Sequence, residues 1–267
     1  MSVSAPLPRY WAHLRSPQFA RLDRDRAVAV LPLAATEQHG PHLPLSVDTD
    51  LLEGLIAHTL TRLPADLPVL LLPTQTIGRS IEHEAFAGTL TVDSAALIGH
   101  WLDLGRSVAR AGLKKLILLN SHGGNTSTLD IVGRELRARH GLTVLMVHTF
   151  QLHLPAQVRA LFSEDEHRFG AHAGDIETSM MLALHPDRVD MSQAQDFISS
   201  SRDRAMRFPR LGDGQSAKLA WAVQDLHPSG AAGHAAAATA EKGRAVLQAA
   251  SQTLAQVLVQ ACELSPS

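Results

Sequence analysis

Two carboxylates and two imidazoles fall within twelve positions of a short segment that also contains Gly and Pro. Glu37 and His39 are two positions apart, so in an extended segment their side chains point the same way. His42 and Asp48 follow them. Carboxylate oxygens and imidazole nitrogens are ligands that zinc, manganese and iron accept in proteins. Because the segment directly follows a continuous apolar run, Ala27 to Ala35, it predicts a metal centre at the end of a buried strand.

Two later segments offer donors of the same kind. His122 stands beside Gly123 and Gly124, which allow a ligand to approach the backbone closely. His172 and Glu177 are five positions apart. One helix would place them on different faces, so we expect His172 in a loop and Glu177 in or near the first turn of a helix. Two neighbouring metals need a bridging carboxylate and further ligands on each side. We therefore predict two divalent ions bridged by Asp48, with the ligands Glu37, His39, Asp48, His122 and Glu177.

The remaining polar residues of these loops are assigned by position. His172 is predicted to move protons beside the metal-activated water. The predicted substrate-side residues are His42, Ser80, His83, Gly123 and Gly124. For His42 an alternative stays open, in which its side chain only orients its own loop. For Asp175 we favour a purely structural role at a helix N-terminus. Ten other histidines, His167 among them, are expected to be structural or on the surface.

An alternation of strands and helices predicts how these distant segments meet. The predicted strands are 27–34, 69–72, 115–119 and 143–147, with a further short strand at 89–92. Helices are predicted from residue 49 or 50 to 63, and at 94–111, 126–139, 180–185 and 235–264. The pattern favours an α/β fold, one domain over residues 1–267, with a central, mainly parallel sheet and helices on both faces. The polar loops follow strand ends, and ligands bind at the carboxyl edge of such sheets. Residues 190–228 are predicted to form a lid or an oligomer contact.

Composition narrows the classes of partner. A net charge of −2 and the lack of a basic run give no reason to expect nucleic acid or an anionic membrane. No apolar run reaches the roughly 18 residues of a membrane helix. The single cysteine, Cys262, excludes an intrachain disulfide framework, and with no apolar signal segment in residues 1–14 we expect a cytoplasmic protein. No Gly-x-Ser-x-Gly elbow or Gly-x-Gly-x-x-Gly loop supports a serine hydrolase or a dinucleotide site.

At these residues the chain resembles the creatininase family, the creatinine amidohydrolases and their relatives. The similar segments are Glu37–Pro44 with Asp48, Gly78–His83, Asn120–Asn125, His172–Ser179, Pro228–Gly230 and Glu241–Gly243. The resemblance implies an α/β fold, a dinuclear zinc or manganese site (iron in some relatives), amide hydrolysis and a homohexamer. It places the family's metal ligands on Glu37, His39, Asp48, His122 and Glu177, and its catalytic histidine on His172.

Two departures from the family pattern argue against creatinine as the substrate. True creatininases have Tyr and a ligand Glu after the histidine of the third segment, where this chain has Gly123 and Gly124. They also carry tryptophans beside the substrate, before the His-Ala-Gly segment. The three tryptophans of this chain, Trp11, Trp101 and Trp221, lie elsewhere.

Together, these features predict a metal-dependent amidohydrolase for a linear or cyclic amide that is not part of a protein. Divalent ions lower the pKa of a bound water from about 15.7 towards 7, which makes it a nucleophile near neutral pH. The predicted partner is thus a small-molecule amide, and zinc is the first choice of metal, before manganese or iron. Two alternatives stay open: a metal-stabilised binder of small molecules without catalysis, and a peptidase for a short cofactor-precursor peptide.

Overall fold

The computed structural model describes residues 8–212, 214 and 216–266. At its centre lies a parallel sheet of four strands in the order β2-β1-β3-β4. The strands are β1 Val28–Leu33, β2 Val69–Leu71, β3 Lys115–Asn120 and β4 Thr143–His148. Each lies within one residue of its expected bounds, and the predicted α/β class with a parallel sheet is confirmed.

Helices cover both faces of this sheet. They are α1 Val47–Leu60, α2 Ser94–Arg110, α3 Thr126–His140, α4 Ala156–Arg159, α5 Glu164–Phe169, α6 Asp175–Leu184, α7 Ser200–Arg207 and α8 Ala240–Glu263. Side chains alternate along a strand, so Val28 and Val30 of β1 join the core under α1 and α8. Ala29, Leu31 and Leu33 join the core under α2 and α3. The central strands are therefore buried on both sides, as their continuous apolar sequence indicated.

Several element ends differ from the sequence-based bounds. The first helix begins at Val47 rather than at residue 49 or 50, so Asp48 lies inside its first turn. Ser46 makes no capping bond through its side chain to the helix backbone, although its hydroxyl donates to Asp50 Oδ2 at 2.7 Å. The expected strand at 89–92 is wrong, since only Leu90 pairs, in an isolated bridge with Thr36. The last helix begins at Ala240, after a short 3-10 turn at Ala235–Ala237.

The second half of the chain lies against α1 and the sheet. Helix α6 contacts α8 and α1. Two short strands, β5 Asp196–Phe197 and β6 Gly233–His234, form a separate antiparallel sheet in this half of the chain. Expectations for residues 1–7, including part of the segment examined for a signal, fall outside the described residues. In the part that is described, no helix is long and apolar enough to cross a membrane.

Candidate metal centre

The carboxyl ends of β1 and β3 bring three of the predicted ligands together. Glu37 follows β1, His122 follows β3, and Asp48 lies in the first turn of α1; all three are buried. His122 Nδ1 is 3.2 Å from Glu37 Oε1 and 3.4 Å from Asp48 Oδ2. Because β1 and β3 are adjacent parallel strands, their loops leave the sheet side by side. The sequence placed these residues at this edge, and they meet there.

The other two predicted ligands lie on the opposite side of Asp48. His39 Nε2 is 3.9 Å from Asp48 Oδ1. His39, His172 and Glu177 each offer a ligand atom within 4.8 Å of the others, and Glu37, His39 and Asp48 form a second such group. Asp48 therefore turns one oxygen towards His39 and the other towards His122. These two groups share His39, and His122 adjoins the second group through its contact with Asp48.

The loop before α6 positions His172 and Glu177 in the way that their spacing predicted. Glu177 lies in the first turn of α6, and His172 pairs through its backbone with Ala232 in both directions, at 3.2 and 2.8 Å. Ala173 has a φ of +54°, in the left-handed region that costs a non-glycine residue energy. Its N–H donates to Glu177 Oε2 at 2.6 Å, which fixes the direction of that carboxylate.

Main-chain carbonyls fix the tautomers of three imidazoles. His122 Nε2 donates to Arg79 O at 2.8 Å, His39 Nδ1 to Glu37 O at 3.1 Å, and His172 Nε2 to Gln38 O at 2.7 Å. A carbonyl oxygen only accepts, so each of these ring nitrogens carries the hydrogen. The other nitrogen of each ring then faces the carboxylates. Metal-binding histidines are usually held in this way, because the bond orients the ring and raises its basicity.

The buried polar atoms left without a hydrogen-bond partner lie largely in this cluster. They include Glu37 Oε2, His39 Nε2 and Asp48 Oδ2. An unsatisfied buried acceptor costs about 1–3 kcal/mol, and more when it is charged. These three atoms are of types that a divalent cation takes as ligands, and their three residues form a group whose ligand atoms lie within 4.8 Å of one another. The donor set therefore fits a metal better than it fits a purely structural cluster.

The pKa shifts in the cluster show that its buried carboxylates interact with nearby positive charge. Burial opposes ionisation of Glu37, but the charges of His122, His172 and His83 outweigh it and lower its pKa. The pKa of Asp48 is raised by its burial and by the neighbouring carboxylate of Glu37. For His122, burial lowers the pKa, yet Glu37 and Asp48 outweigh it and raise the pKa to about 10. A proton on His122 Nδ1 and a divalent cation thus compete for one position.

His83 differs from the other imidazoles of the cluster. The side chain of Gln38 accepts from Gly40 N at 2.9 Å and donates to Gly230 O at 2.8 Å, which fixes which of its ends is the amide nitrogen. That nitrogen also donates to His83 Nδ1 at 2.7 Å. The hydrogen of His83 is therefore on Nε2, which lies 3.4 Å from Glu37 Oε1. In this tautomer the N–H of His83 lies on the side of the ligand carboxylate of Glu37, whereas the sequence suggested contact with substrate.

The other predicted substrate residues occupy different surroundings. Gly123 lines the cavity described below, and a Cβ there would meet nothing within 4 Å. Gly124 faces His122 instead, and Ser80 is buried with its Oγ 3.3 Å from His122 Nε2. His42 is buried, contacts Thr178 Oγ1 at 2.9 Å and lines neither of the cavities beside the cluster. This placement favours the alternative in which His42 orients its loop.

A cavity of about 410 Å³ opens onto the cluster and is large enough for a small-molecule substrate. Glu37, Asp48, His122, His172 and Glu177 all line it. Gly123 also lines it, and further walls come from Phe150, Arg159 and His167, which were not predicted to be site residues. Phe150 and Arg159 belong to short elements without periodicity, and no sequence signal marked them. His167 was expected to be structural or on the surface, and it is half-buried at this wall.

The chain is similar to known proteins of one family. The family model for creatininase, described as creatinine amidohydrolase, matches residues 12–258. The mycofactocin precursor peptide peptidase of Mycobacterium ulcerans is 31% identical over 250 residues, which cover 92% of this chain and 84% of that protein. The creatinine amidohydrolase of Pseudomonas putida is 32% identical over 190 residues, 66% of this chain and 72% of that protein. A solved structure of creatininase with Mn superposes with a TM-score of 0.76 at 26% identity, covering 95% of this chain and 98% of that one.

Proposed function

Because this chain belongs to the creatininase family, we propose that it hydrolyses a small amide at a centre of two divalent ions. The proposed ligands are Glu37, His39, Asp48, His122 and Glu177. The observation that carries the proposal is the orientation of Asp48, whose two oxygens face His39 and His122 separately. A carboxylate whose two oxygens face different donors is suited to bridge two ions.

Divalent ions at these ligands would polarise the substrate carbonyl and make a water acidic enough to attack it near neutral pH. The residues of the chain supply the rest of the chemistry. His172 lines the cavity, and its Nε2–H is held by Gln38 O. Its Nδ1, 3.9 Å from Glu37 Oε1, is free to accept a proton and pass it to the leaving nitrogen. The hydrogen-bonded side chains of Gln38 and His83 lie beside the proposed ligand Glu37 and restrict its position.

The substrate proposed first is a linear or cyclic amide that is not part of a protein. A second candidate is a short peptide, and the observation that favours it is the 31% identity to a mycofactocin precursor peptide peptidase. Both candidates use the same chemistry and differ only in what fills the cavity. A panel of lactams, formamides, cyclic ureas and dipeptides separates them. Tight binding across the panel without turnover in the metal-loaded protein would instead indicate a non-catalytic binder.

The test of the ligand set combines metal content with turnover. Glu37→Gln, His122→Ala and Glu177→Gln are each expected to lower bound metal and abolish hydrolysis, because each removes a ligand. Matched controls are Glu84→Gln and His140→Ala, which change exposed residues of the same types. Zinc, manganese and iron are loaded in parallel, with zinc expected to bind most tightly of the three. Retention of two metals per chain in all three ligand variants, by elemental analysis, would overturn the proposal.

We also propose that the chain forms a homo-oligomer, a hexamer as its family resemblance implies. Residues 190–228 expose several large apolar side chains, among them Ile198, Met206, Phe208 and Leu211. Exposed apolar groups in one segment are typical of contact surfaces. Light scattering should give a mass of six chains of 28.7 kDa. A cytoplasmic location, expected from the single cysteine, remains a separate prediction for cell fractionation.

A further inference from the structure

A second cavity of about 180 Å³ adjoins the one that holds the ligands. Asp48, Glu177 and Phe150 line both, so the two spaces lie side by side. The deeper wall of the second cavity is almost entirely aliphatic, formed by Leu51, Leu55, Leu154, Met180, Val246 and Ala250. An apolar cavity of about 150 Å³ in a protein takes up a benzene molecule. This side cavity therefore has room for one aromatic ring or one branched aliphatic group beside the reacting centre.

A cation without a counter-charge stands at the shared wall. Arg159 ends α4 and lines both cavities, and its side chain is exposed. Within the described residues its guanidinium has no carboxylate within 4.0 Å and no hydrogen bond. Many other exposed arginines do have a carboxylate partner: Arg106, Arg134, Arg139, Arg202 and Arg244. The main chain of Arg159 is held, because His167 Nε2 donates to its carbonyl at 2.8 Å. An unpaired guanidinium at a cavity wall is suited to bind a carboxylate.

Phe150 adds an aromatic surface at the same wall. It lies in the 3-10 turn after β4, and 54% of its surface is exposed although it borders both cavities. Besides the three ligand carboxylates Glu37, Asp48 and Glu177, the carboxyl group of Glu166 also lines this cavity. Four carboxylates would balance the charge of two divalent ions, so the attraction for an anionic substrate comes from Arg159.

We propose that the substrate carries a carboxylate bound by Arg159 and, next to it, an apolar group held in the side cavity. That description fits an N-acylated apolar amino acid, including the C-terminal residue of a short peptide. Hydrolysis breaks its amide C–N bond, the acyl carbon takes the hydroxyl of water, and the nitrogen takes the remaining proton. The inference rests on the proposed function and adds the class of substrate and the residues that select it.

The test uses metal-loaded protein and sulfonamide probes that hydrolysis cannot consume. N-methylsulfonyl-phenylalanine carries both features, its carboxamide lacks the charge, and N-methylsulfonyl-glycine lacks the ring. Calorimetry should show the acid binding at least about tenfold more tightly than its carboxamide, the usual size of a charged hydrogen bond. Arg159→Gln should abolish this preference and leave carboxamide affinity within about twofold. Arg137→Gln, an exposed arginine on α3 that lines neither cavity, should leave both affinities unchanged.

The apolar part is tested separately. Ala250→Leu fills the side cavity and should weaken both phenylalanine probes about tenfold while sparing the glycine probe. Phe150→Ala changes an exposed residue and provides a second variant if Ala250→Leu proves unstable in a thermal melt. Equal binding of the acid and the carboxamide, no binding of the acid at millimolar concentration, or a preference that survives Arg159→Gln would overturn the inference.

Kinetics separate this inference from the proposed function. With N-acetyl-phenylalanine, Arg159→Gln should raise KM about tenfold and leave kcat unchanged, because it removes binding that is equal in ground and transition states. Arg159-dependent probe binding with no amide hydrolysed would refute the hydrolase and retain the carboxylate site. Hydrolysis of neutral amides with no effect of Arg159→Gln would retain the hydrolase and refute the carboxylate site.

Discussion

Two adjacent glycines, Gly123 and Gly124, offer a matched pair of substitutions beside His122. Neither has a positive φ, so alanine causes no backbone strain at either position. A Cβ on Gly123 would meet nothing within 4 Å. A Cβ on Gly124 would overlap Arg79 O and Glu82 Oε1 and lie 2.5 Å from His122 Nε2. The same change therefore has opposite structural consequences one residue apart.

The expected loss of metal affinity in Gly124→Ala follows from the hydrogen bond that this substitution disturbs. His122 Nε2 donates to Arg79 O at 2.8 Å, and the new methyl group would overlap both of these atoms. Relief of the overlap moves the carbonyl or tilts the ring, which turns Nδ1 away from Glu37 and Asp48. Loss of such a supporting bond usually lowers metal affinity about 10- to 100-fold, or roughly 1.4–2.8 kcal/mol. Gly123→Ala should change metal affinity less than about twofold.

Competition against a chromogenic chelator measures both variants with zinc and with manganese. Circular dichroism and a thermal melt of the chelated proteins establish that each is folded. Turnover should follow metal occupancy for Gly124→Ala, whereas Gly123→Ala changes KM at most, since Gly123 lines the cavity. If Gly124→Ala kept its metal within threefold of the parent protein, or if Gly123→Ala lost as much, the argument that the Arg79–His122 bond orients a ligand would be refuted.

Three further predictions concern stability. Burial lowers the pKa of His42 to about 4 and of His83 to about 3, so below pH 6.5 these two side chains bind more protons in the unfolded chain than in the native one. Urea unfolding of chelated protein should therefore show a falling free energy from pH 6.5 to 4, and His42→Gln should flatten that slope; a parent protein with no slope contradicts the reasoning. Lys242→Met leaves the buried carboxylate of Asp175 without its partner at 2.6 Å and should cost about 3 kcal/mol in the same assay. Gly243→Ala places a Cβ against Ser179 O between α8 and α6 and should cost about 1–3 kcal/mol. Its control, Gly99→Ala, meets nothing on exposed α2 and should stabilise by up to about 1 kcal/mol; equal melting shifts for the two glycines would contradict the packing argument.

The sheet and the ligand cluster were predictable because their signals are local. Continuous apolar runs such as 115–119 are typical of strands buried on both faces, and this one became β3 within one residue. The order of elements then placed the loops of Glu37 and His122 at one edge. The five-residue spacing alone predicted that His172 lies in a loop and Glu177 in or near the first turn of a helix. The elements that failed had weaker local signals: the run at 89–92 is too short to decide between a strand and a single bridge.

The walls of the substrate cavities could not be predicted, because they depend on long-range packing. Val246 and Ala250 line the side cavity only since α8 lies against α1 and α6. In the sequence they belong to an ordinary alanine-rich helix. The orientation of His83 likewise depends on Gln38 and on Gly230, which is 192 positions further along the chain than Gln38. Composition and periodicity carry no information about contacts at that separation.

The contacts of α6 help to offset the unfavourable free energy of folding the buried ligand cluster. The carboxylates of Glu37 and Asp48 and several imidazoles are buried together, Glu177 is half-buried beside them, and Ala173 adds a strained φ. Such a site opposes folding, so other parts of the chain must offset it. Asp175, at the start of α6, pairs with Lys242 of α8, and Gly243 lets the two helices approach closely. Glu177, two residues after Asp175, is thereby fixed at the cluster by packing outside it. Metal affinity in this chain should therefore depend on the α6–α8 contact as well as on the ligands themselves.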